Sequence, residues 1–346
     1  MTSRVLVTGA TGYVAGHCIA ELLAHGYAVR GTVRDPAAAR TRAHLVDHLA
    51  AGRLELVTAT LDSDAGWAEA VRDCDYVLHV ASPFPSTPPA DENELIEPAV
   101  RGTLRVLRAA ADGGVRRVVL TSSVAAVAYG HDTDRVRTEA DWSVVDKVPA
   151  YQKSKTLAER AAWEFAESLP PERGFELVAV NPGMILGPVF DERLSTSHEA
   201  IRKLLDGSVP GSVRTGWTPV DVRDLAVAHR LAMETPGAPG NRYICAADPL
   251  WMGDMARILA DRYGPRGFSV PTRVLPDLLV RLVALFDPTV RLTLPVLGRT
   301  EHVSADKARR ELGWTMRPVA DTLADTADSL IEHGVVAPRR PAAARV

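Results

Sequence analysis

The chain is short of cysteine and lysine, has no surplus of either charge and holds no long apolar run, and each shortage removes a class of protein. Cys18, Cys74 and Cys245 are odd in number and form no Cys-x-x-Cys pair. Neither a disulfide framework nor a zinc or other metal site is expected. The formal net charge of -3 gives no electrostatic footprint for nucleic acid or an anionic membrane. No apolar stretch approaches the ~20 residues that cross a bilayer, and Met1 leads straight into a strand pattern without a secretory signal. The expectation is a cytoplasmic protein, monomer or homodimer, whose partner is a small molecule. No internal repeat is visible, and 346 residues with a 46% hydrophobic share suit one large domain or two smaller ones.

The scarcity of lysine points to the first candidate site. Lys147, Lys153, Lys155, Lys203 and Lys307 are the whole set, and arginine fills most other basic positions. Lysine at 155 is therefore not the default cation, and it follows Tyr151 at the spacing Tyr-x-x-x-Lys. On a helix this puts phenol and ammonium on one face. A nearby cation favours phenolate, so such a tyrosine can protonate a substrate oxygen near neutral pH. The flexible ammonium suits that role better than a guanidinium. A solvated helix face carries the same short pattern, so the reading depends on its surroundings.

Those surroundings alternate strand and helix. Arg4-Val5-Leu6-Val7 is followed by Thr8-Gly9-Ala10-Thr11-Gly12-Tyr13-Val14-Ala15-Gly16 and a helical stretch. Gly9 allows a tight turn, Gly12 lets a pyrophosphate approach the helix N-terminus, and Ala15 packs helix on strand. A second strand over 28–33 ends at Arg34-Asp35-Pro36, where the residue that reads the adenosine ribose is expected. Arg34, helped by Arg40 or Arg42, would bind a 2′-phosphate, whereas Asp35 would take a free ribose hydroxyl. NADP is expected over NAD. Strands follow at 54–58, 75–81 and 115–121, with Asp62-Ser63 facing an adenine and the small residues Val80, Ala81 and Ser82 leaving room for cofactor. His79, inside an apolar strand, reads as a core histidine. The proline-rich loop from Phe84 to Pro89 reads as a substrate mouth, and Ser123, at the end of a strand, as either a ligand to a carbonyl oxygen or a strand-end cap. Trp163 and Phe165 read as core. The pattern predicts a doubly wound parallel sheet.

Thr8-Gly9-x-x-Gly12, Ser123 and Tyr151-x-x-x-Lys155, in this order and spacing, resemble an extended short-chain dehydrogenase/reductase. Val33-Arg34-Asp35-Pro36, His79-Val80-Ala81-Ser82-Pro83-Phe84 and Asn181-Pro182-Gly183 are similar, more narrowly, to the dihydroflavonol reductase and yeast-type aldehyde/ketone reductase branch. The resemblance implies a Rossmann-type α/β fold with a smaller C-terminal substrate lobe. Residues 334–346, rich in proline, alanine and arginine, are expected to form a disordered tail, and the resemblance divides the rest into an NADP-binding domain over 1–182, rejoined around 221–234, and a mainly substrate-binding lobe over 183–333. It further implies a catalytic triad of Ser123, Tyr151 and Lys155. Cofactor contacts are implied at Thr8, Gly9, Thr11, Gly12, Tyr13, Val14, Arg34, Arg40, Leu61, Asp62, Ser63, Val80, Ala81, Ser82, Thr121, Tyr151, Lys155, Pro182, Gly183, Met184 and Ile185. Substrate contacts are implied at Pro83, Phe84, Ser123, Val124, Tyr151 and Met184.

Two departures narrow the substrate. Ala128 stands where plant flavonoid reductases usually carry asparagine or aspartate, and Val148-Pro149-Ala150-Tyr151 lacks the longer signature of cinnamoyl-CoA reductases. Aldehydes or ketones with apolar substituents are the expected substrates of an NADPH-dependent reductase. A nucleotide-sugar epimerase or dehydratase shares the fold and triad. A dinucleotide-sensing regulator is the non-catalytic alternative, disfavoured by the complete triad.

Overall fold

The computed structural model describes residues 2–82, 91–286, 288–291 and 293–338. Its strands are β1 (Arg4–Val7), β2 (Ala28–Val33), β3 (Leu54–Thr58), β4 (Tyr76–His79), β5 (Arg117–Thr121), β6 (Glu176–Pro182), β7 (Met184–Leu186), β8 (Gly216–Trp217), β9 (Pro219–Asp221), β10 (Arg242–Cys245) and β11 (Leu250–Trp251). Seven of them form a wholly parallel sheet in the order β10-β6-β5-β4-β1-β2-β3. The run Val5-Leu6-Val7 is fully buried, as a central strand covered on both faces must be. The helix Asn93–Asp112 supplies one cover, with Val106, Leu107 and Ala110 packed among Leu6, Val77, Val118 and Leu177. Trp163 and Phe165 pack against the same cluster, so both are core residues. Strand order reverses at β1, which pairs with β2 on one side and β4 on the other. Loops leaving the C-terminal ends of these strands part there and open a crevice.

The chain divides into two compact units. The first comprises Met1–Pro182, Arg223–Cys245 and Val303–Thr315, and the second Gly183–Val222, Ala246–His302 and Met316–Val346. This division is finer than the one expected from sequence. Strand β10 and the helix Asp306–Leu312 fall within 183–333 yet belong to the first unit, because β10 completes the sheet against β6 with its residues buried. The tail also begins later than expected. Val336 is 4% exposed and joins the second unit's core with Leu186, Ile201, Met255, Leu259, Leu323 and Leu330, while residues 339–346 lie outside the described ones. In that unit β7 pairs with β9 in parallel and β8 with β11 antiparallel. Among the described residues, no helix is long and apolar enough to cross a membrane.

Candidate functional site

The glycine turn after β1 is shaped by contacts only glycine permits. Gly9 has φ +69, and a Cβ there would lie 3.0 Å from Ala81 Cβ. The N–H of Gly12 donates to the Gly9 carbonyl at 2.8 Å. Gly12 then caps the helix Tyr13–Ala24 with no side-chain hydrogen bond, and no acidic side chain stands in the first turn. The helix dipole favours an anion at this end. Thr11 and Gly12 are exposed, and Tyr13 and Val14 half-buried. Thr8 has another task. It is fully buried, and its Oγ1 accepts from the N–H groups of Val80 at 3.0 Å and Ala81 at 2.9 Å. Its own hydrogen is left for His79 Nδ1 at 3.0 Å. Thr8 thus ties the ends of β1 and β4 together and has no surface to offer a cofactor. His79 is a core residue, held neutral because burial, then the charge of Lys155, push its pKa down to about 3.

One contributor to the turn escaped the sequence reading. Gly31, in β2, is the only residue type that fits beneath Ala10, because a Cβ there would lie 2.6 Å from Ala10 Cβ. A glycine inside a strand is the signal that could have found it. Beyond it, Asp35 is a helix cap. Asp35 Oδ1 accepts from Ala37 N–H at 2.9 Å and Ala38 N–H at 3.3 Å, capping the short helix Pro36–Ala39. Arg34 and Arg40 are exposed at its two ends. The neighbouring loop is fixed by Trp67 Nε1, which donates to the carbonyls of Thr60 at 2.9 Å and Ser63 at 3.0 Å, and by Arg105, which donates to the Leu61 carbonyl. Asp62 is exposed there, its carboxyl held below the usual carboxylate range by the Thr60 hydroxyl, its own backbone and the charges of Arg105 and Arg34.

Tyr151 and Lys155 lie one turn apart on the helix Ala150–Ser168. That helix packs on the 3-10 turn Val124–Ala126 that follows Ser123. Lys155 Nζ donates to Ser82 Oγ at 3.0 Å, reaching the chain that leaves β4. Burial lowers the Lys155 ammonium to about 8, with the Glu159 carboxylate pulling the other way. Ser123 realises the capping alternative in part: its Oγ accepts from Ala125 N–H at 3.1 Å and keeps its hydrogen to donate. Val124 is 3% exposed, so its side chain is core and does not line a substrate surface. Thr121 is bound on its far side, its Oγ1 2.6 Å from His229 Nε2, while His229 Nδ1 lies 2.8 Å from the Leu225 carbonyl. The latter contact places the His229 proton on Nδ1, so Thr121 is the donor to Nε2. Beneath Ser122 and Ser123 sits a buried cluster of Glu159, Asn181 and Arg242 that the sequence reading did not assign. Pro83 and Phe84, expected at the substrate, lie outside the described residues.

In the first unit Pro182 is buried at the end of β6. Within the second unit, Gly183 is forced by a contact, since a Cβ would lie 1.8 Å from the Thr218 carbonyl oxygen. Met184 N–H donates to that same oxygen at 2.8 Å, and Met184 and Ile185 are half-buried. Glu301 Oε2 holds Thr218 through its N–H at 3.0 Å and its hydroxyl at 2.6 Å.

A doubly wound parallel sheet, with a glycine turn and an uncapped helix N-terminus beside its switch point, is the architecture of a dinucleotide-binding protein. The family model described as the NAD dependent epimerase/dehydratase family matches residues 5–246. Cinnamoyl-CoA reductase 1 of Petunia hybrida is 36% identical over 337 residues, covering 95% of this chain and 92% of that protein. The crystal structure of Gre2 from Candida albicans in complex with NADPH aligns with TM-score 0.79 at 26% identity, covering 96% of this chain and 99% of that one. Yeast methylglyoxal/isovaleraldehyde reductase Gre2, complexed with NADPH, aligns with TM-score 0.78 at 27% identity, covering 96% and 100%. The chain belongs to the NAD dependent epimerase/dehydratase family, within its extended short-chain dehydrogenase/reductase branch, and is an NAD(P)-dependent oxidoreductase.

Proposed function

We propose that this chain is an NADPH-dependent reductase of aldehydes or ketones, with Tyr151 as general acid, Ser123 as the donor that orients the carbonyl oxygen and Lys155 as the cation beside the tyrosine. The observation that carries the reading is the helix Ala150–Ser168, which bears Tyr151 and Lys155 one turn apart, packs on the turn that begins at Ser123 and sends the Lys155 ammonium to Ser82. NADPH, when bound, supplies the hydride; the chain supplies position and charge. The glycine turn fits such a group, since Gly9 and Gly12 leave no side chain between the strand end and the helix amides. Arg34 would face the 2′-phosphate, because Asp35 is committed to its helix cap. Protonation of the product oxygen by Tyr151 leaves a phenolate, which the Lys155 ammonium stabilises through its charge.

Oxidation of NADPH over a panel of aldehydes, ketones and ketoesters tests the reading. Two further arms separate its rivals. An aromatic acyl-CoA thioester is included because a relative carries the name cinnamoyl-CoA reductase. Nucleotide sugars are included because the family's description covers epimerases, whose cofactor is recycled and not consumed. Turnover of simple carbonyls supports the proposal. Consumption of the thioester alone, or conversion of a nucleotide sugar without net oxidation of NADPH, overturns it.

A further inference from the structure

Glu159 is 1% exposed in the interior of the first unit, one helical turn beyond Lys155 and two beyond Tyr151. A carboxylate in that position needs partners, and it has them from three other segments of the chain. Its Oε2 accepts from Ser122 Oγ at 2.5 Å, Asn181 Nδ2 at 2.8 Å and Arg242 Nη2 at 3.2 Å. Its Oε1 accepts from Arg242 Nε at 2.6 Å and Trp163 Nε1 at 3.4 Å. Ser122 follows the last residue of β5 and adjoins Ser123, while Asn181 gives its second hydrogen to the Ser123 carbonyl at 3.2 Å. One carboxylate therefore holds both residues that determine where Ser123 sits.

Arg242 is fixed in turn. Its Nη1 donates to the carbonyls of Glu139 at 2.9 Å and Asp141 at 2.7 Å, and its guanidinium lies over the Trp142 ring at 3.7 Å. Its fork donates to one carboxylate and two carbonyls while its plane covers a ring, which leaves it one orientation. This is more than helix anchoring requires. The apolar face of the helix already packs Ala162, Trp163 and Phe165 into the core, and a buried ion pair is often no more stabilising than apolar side chains of similar size. What apolar side chains cannot do is set the reach from the Tyr151 helix to the Ser123 loop through bonds of fixed length and direction.

We infer that Glu159 and Arg242 are positioning residues, a buried pair that sets the placement of Ser123 relative to Tyr151 and Lys155 and thereby the geometry of proton donation. The inference rests on the reductase reading above. Glu159→Gln leaves an amide among donors and Arg242 without its counter-charge, so it can fail to fold for reasons of its own. The double variant Glu159→Met with Arg242→Met removes both charges together, and Ser122→Ala removes one hydrogen bond alone. Misplacement of reacting groups by about 1 Å costs on the order of 10²-fold. In the double variant kcat should therefore fall by about tenfold to a hundredfold, and in Ser122→Ala by a smaller factor, with the Kd for NADPH within about twofold of wild type. An unchanged kcat in the folded double variant overturns the inference. So does a joint loss of kcat, NADPH binding and thermal stability, which marks a merely structural pair. If the wild-type chain oxidises NADPH with no carbonyl, the reductase reading is what fails. Amide exchange then decides the positioning claim: faster exchange at both 122–125 and 151–156 in the double variant upholds it, and unchanged exchange at 122–125 overturns it.

Discussion

At the scale of single residues, the site divides into side chains whose role follows from their type and side chains whose role follows from their neighbours. Tyr151 is of the first kind. Tyr151→Phe should keep NADPH binding and lower carbonyl turnover by about 10²–10⁴-fold, since the ring stays and the proton donor goes. Steady-state kinetics with a measured NADPH Kd checks it, and near-native turnover contradicts the assigned acid. Arg34 and Asp35 are of the second kind. They stand side by side in the sequence, either able to meet a ribose, and Asp35 also caps a helix through Ala37 and Ala38, which is why the proposal gives the 2′-phosphate to Arg34. A charge-assisted hydrogen bond is worth about 1.5–3 kcal/mol. Arg34→Ala should weaken NADPH about tenfold to a hundredfold while changing NADH much less. A wild type that prefers NADH, or a ratio unmoved by the substitution, returns the role to Asp35. Thr8 and Val124 show the reverse case. Both stand in the right motif, yet burial leaves Thr8 bracing two strand ends and Val124 in the core.

At the scale of elements, strands β1 to β6 and the helices that alternate with them were legible because apolar runs, glycine turns and helical periodicity are local properties. The cross-strand fit was not. Gly31 and Ala10 are distant enough in sequence that nothing marks them as a pair, yet they leave no room for a second methyl. Overpacking of this kind costs about 1–3 kcal/mol. Gly31→Ala should therefore displace the turn and weaken NADPH about tenfold, with kcat at saturating cofactor changing far less. Adding Ala10→Gly removes the opposing methyl and should restore affinity. Normal NADPH binding by the single variant, measured by titration, or no rescue by the double one, contradicts that contact.

At the scale of the molecule, the interior holds three buried histidines whose protonation the fold opposes. Burial pushes His79 down to about 3 and His198 and His229 down to about 4. Unfolding releases each to its ordinary value near 6.5. Below about pH 6.5 the unfolded chain thus binds more protons than the folded one, and stability falls with pH until the folded pKa values are reached. Each histidine contributes on the order of 2 kcal/mol of loss by pH 5. Thermal melts should show a Tm several degrees lower at pH 5 than at pH 7.5. An unchanged Tm would mean that these rings are not held neutral.

The sequence by itself determined the doubly wound sheet, the glycine turn and the pairing of Tyr151 with Lys155, because each is written in residues close together in the chain. Only the tertiary structure decided which strand closes the sheet, since β10 belongs to it through its ladder with β6 and not through any pattern of its own. Glu159 and Arg242 divide in the same way. Glu159 repeats the four-residue spacing of Tyr151 and Lys155 and was within reach of a sequence reading. Arg242 was not, because a guanidinium on a distant strand acquires its carboxylate only when folding brings the two into a dry interior, where an unpaired charge cannot stay.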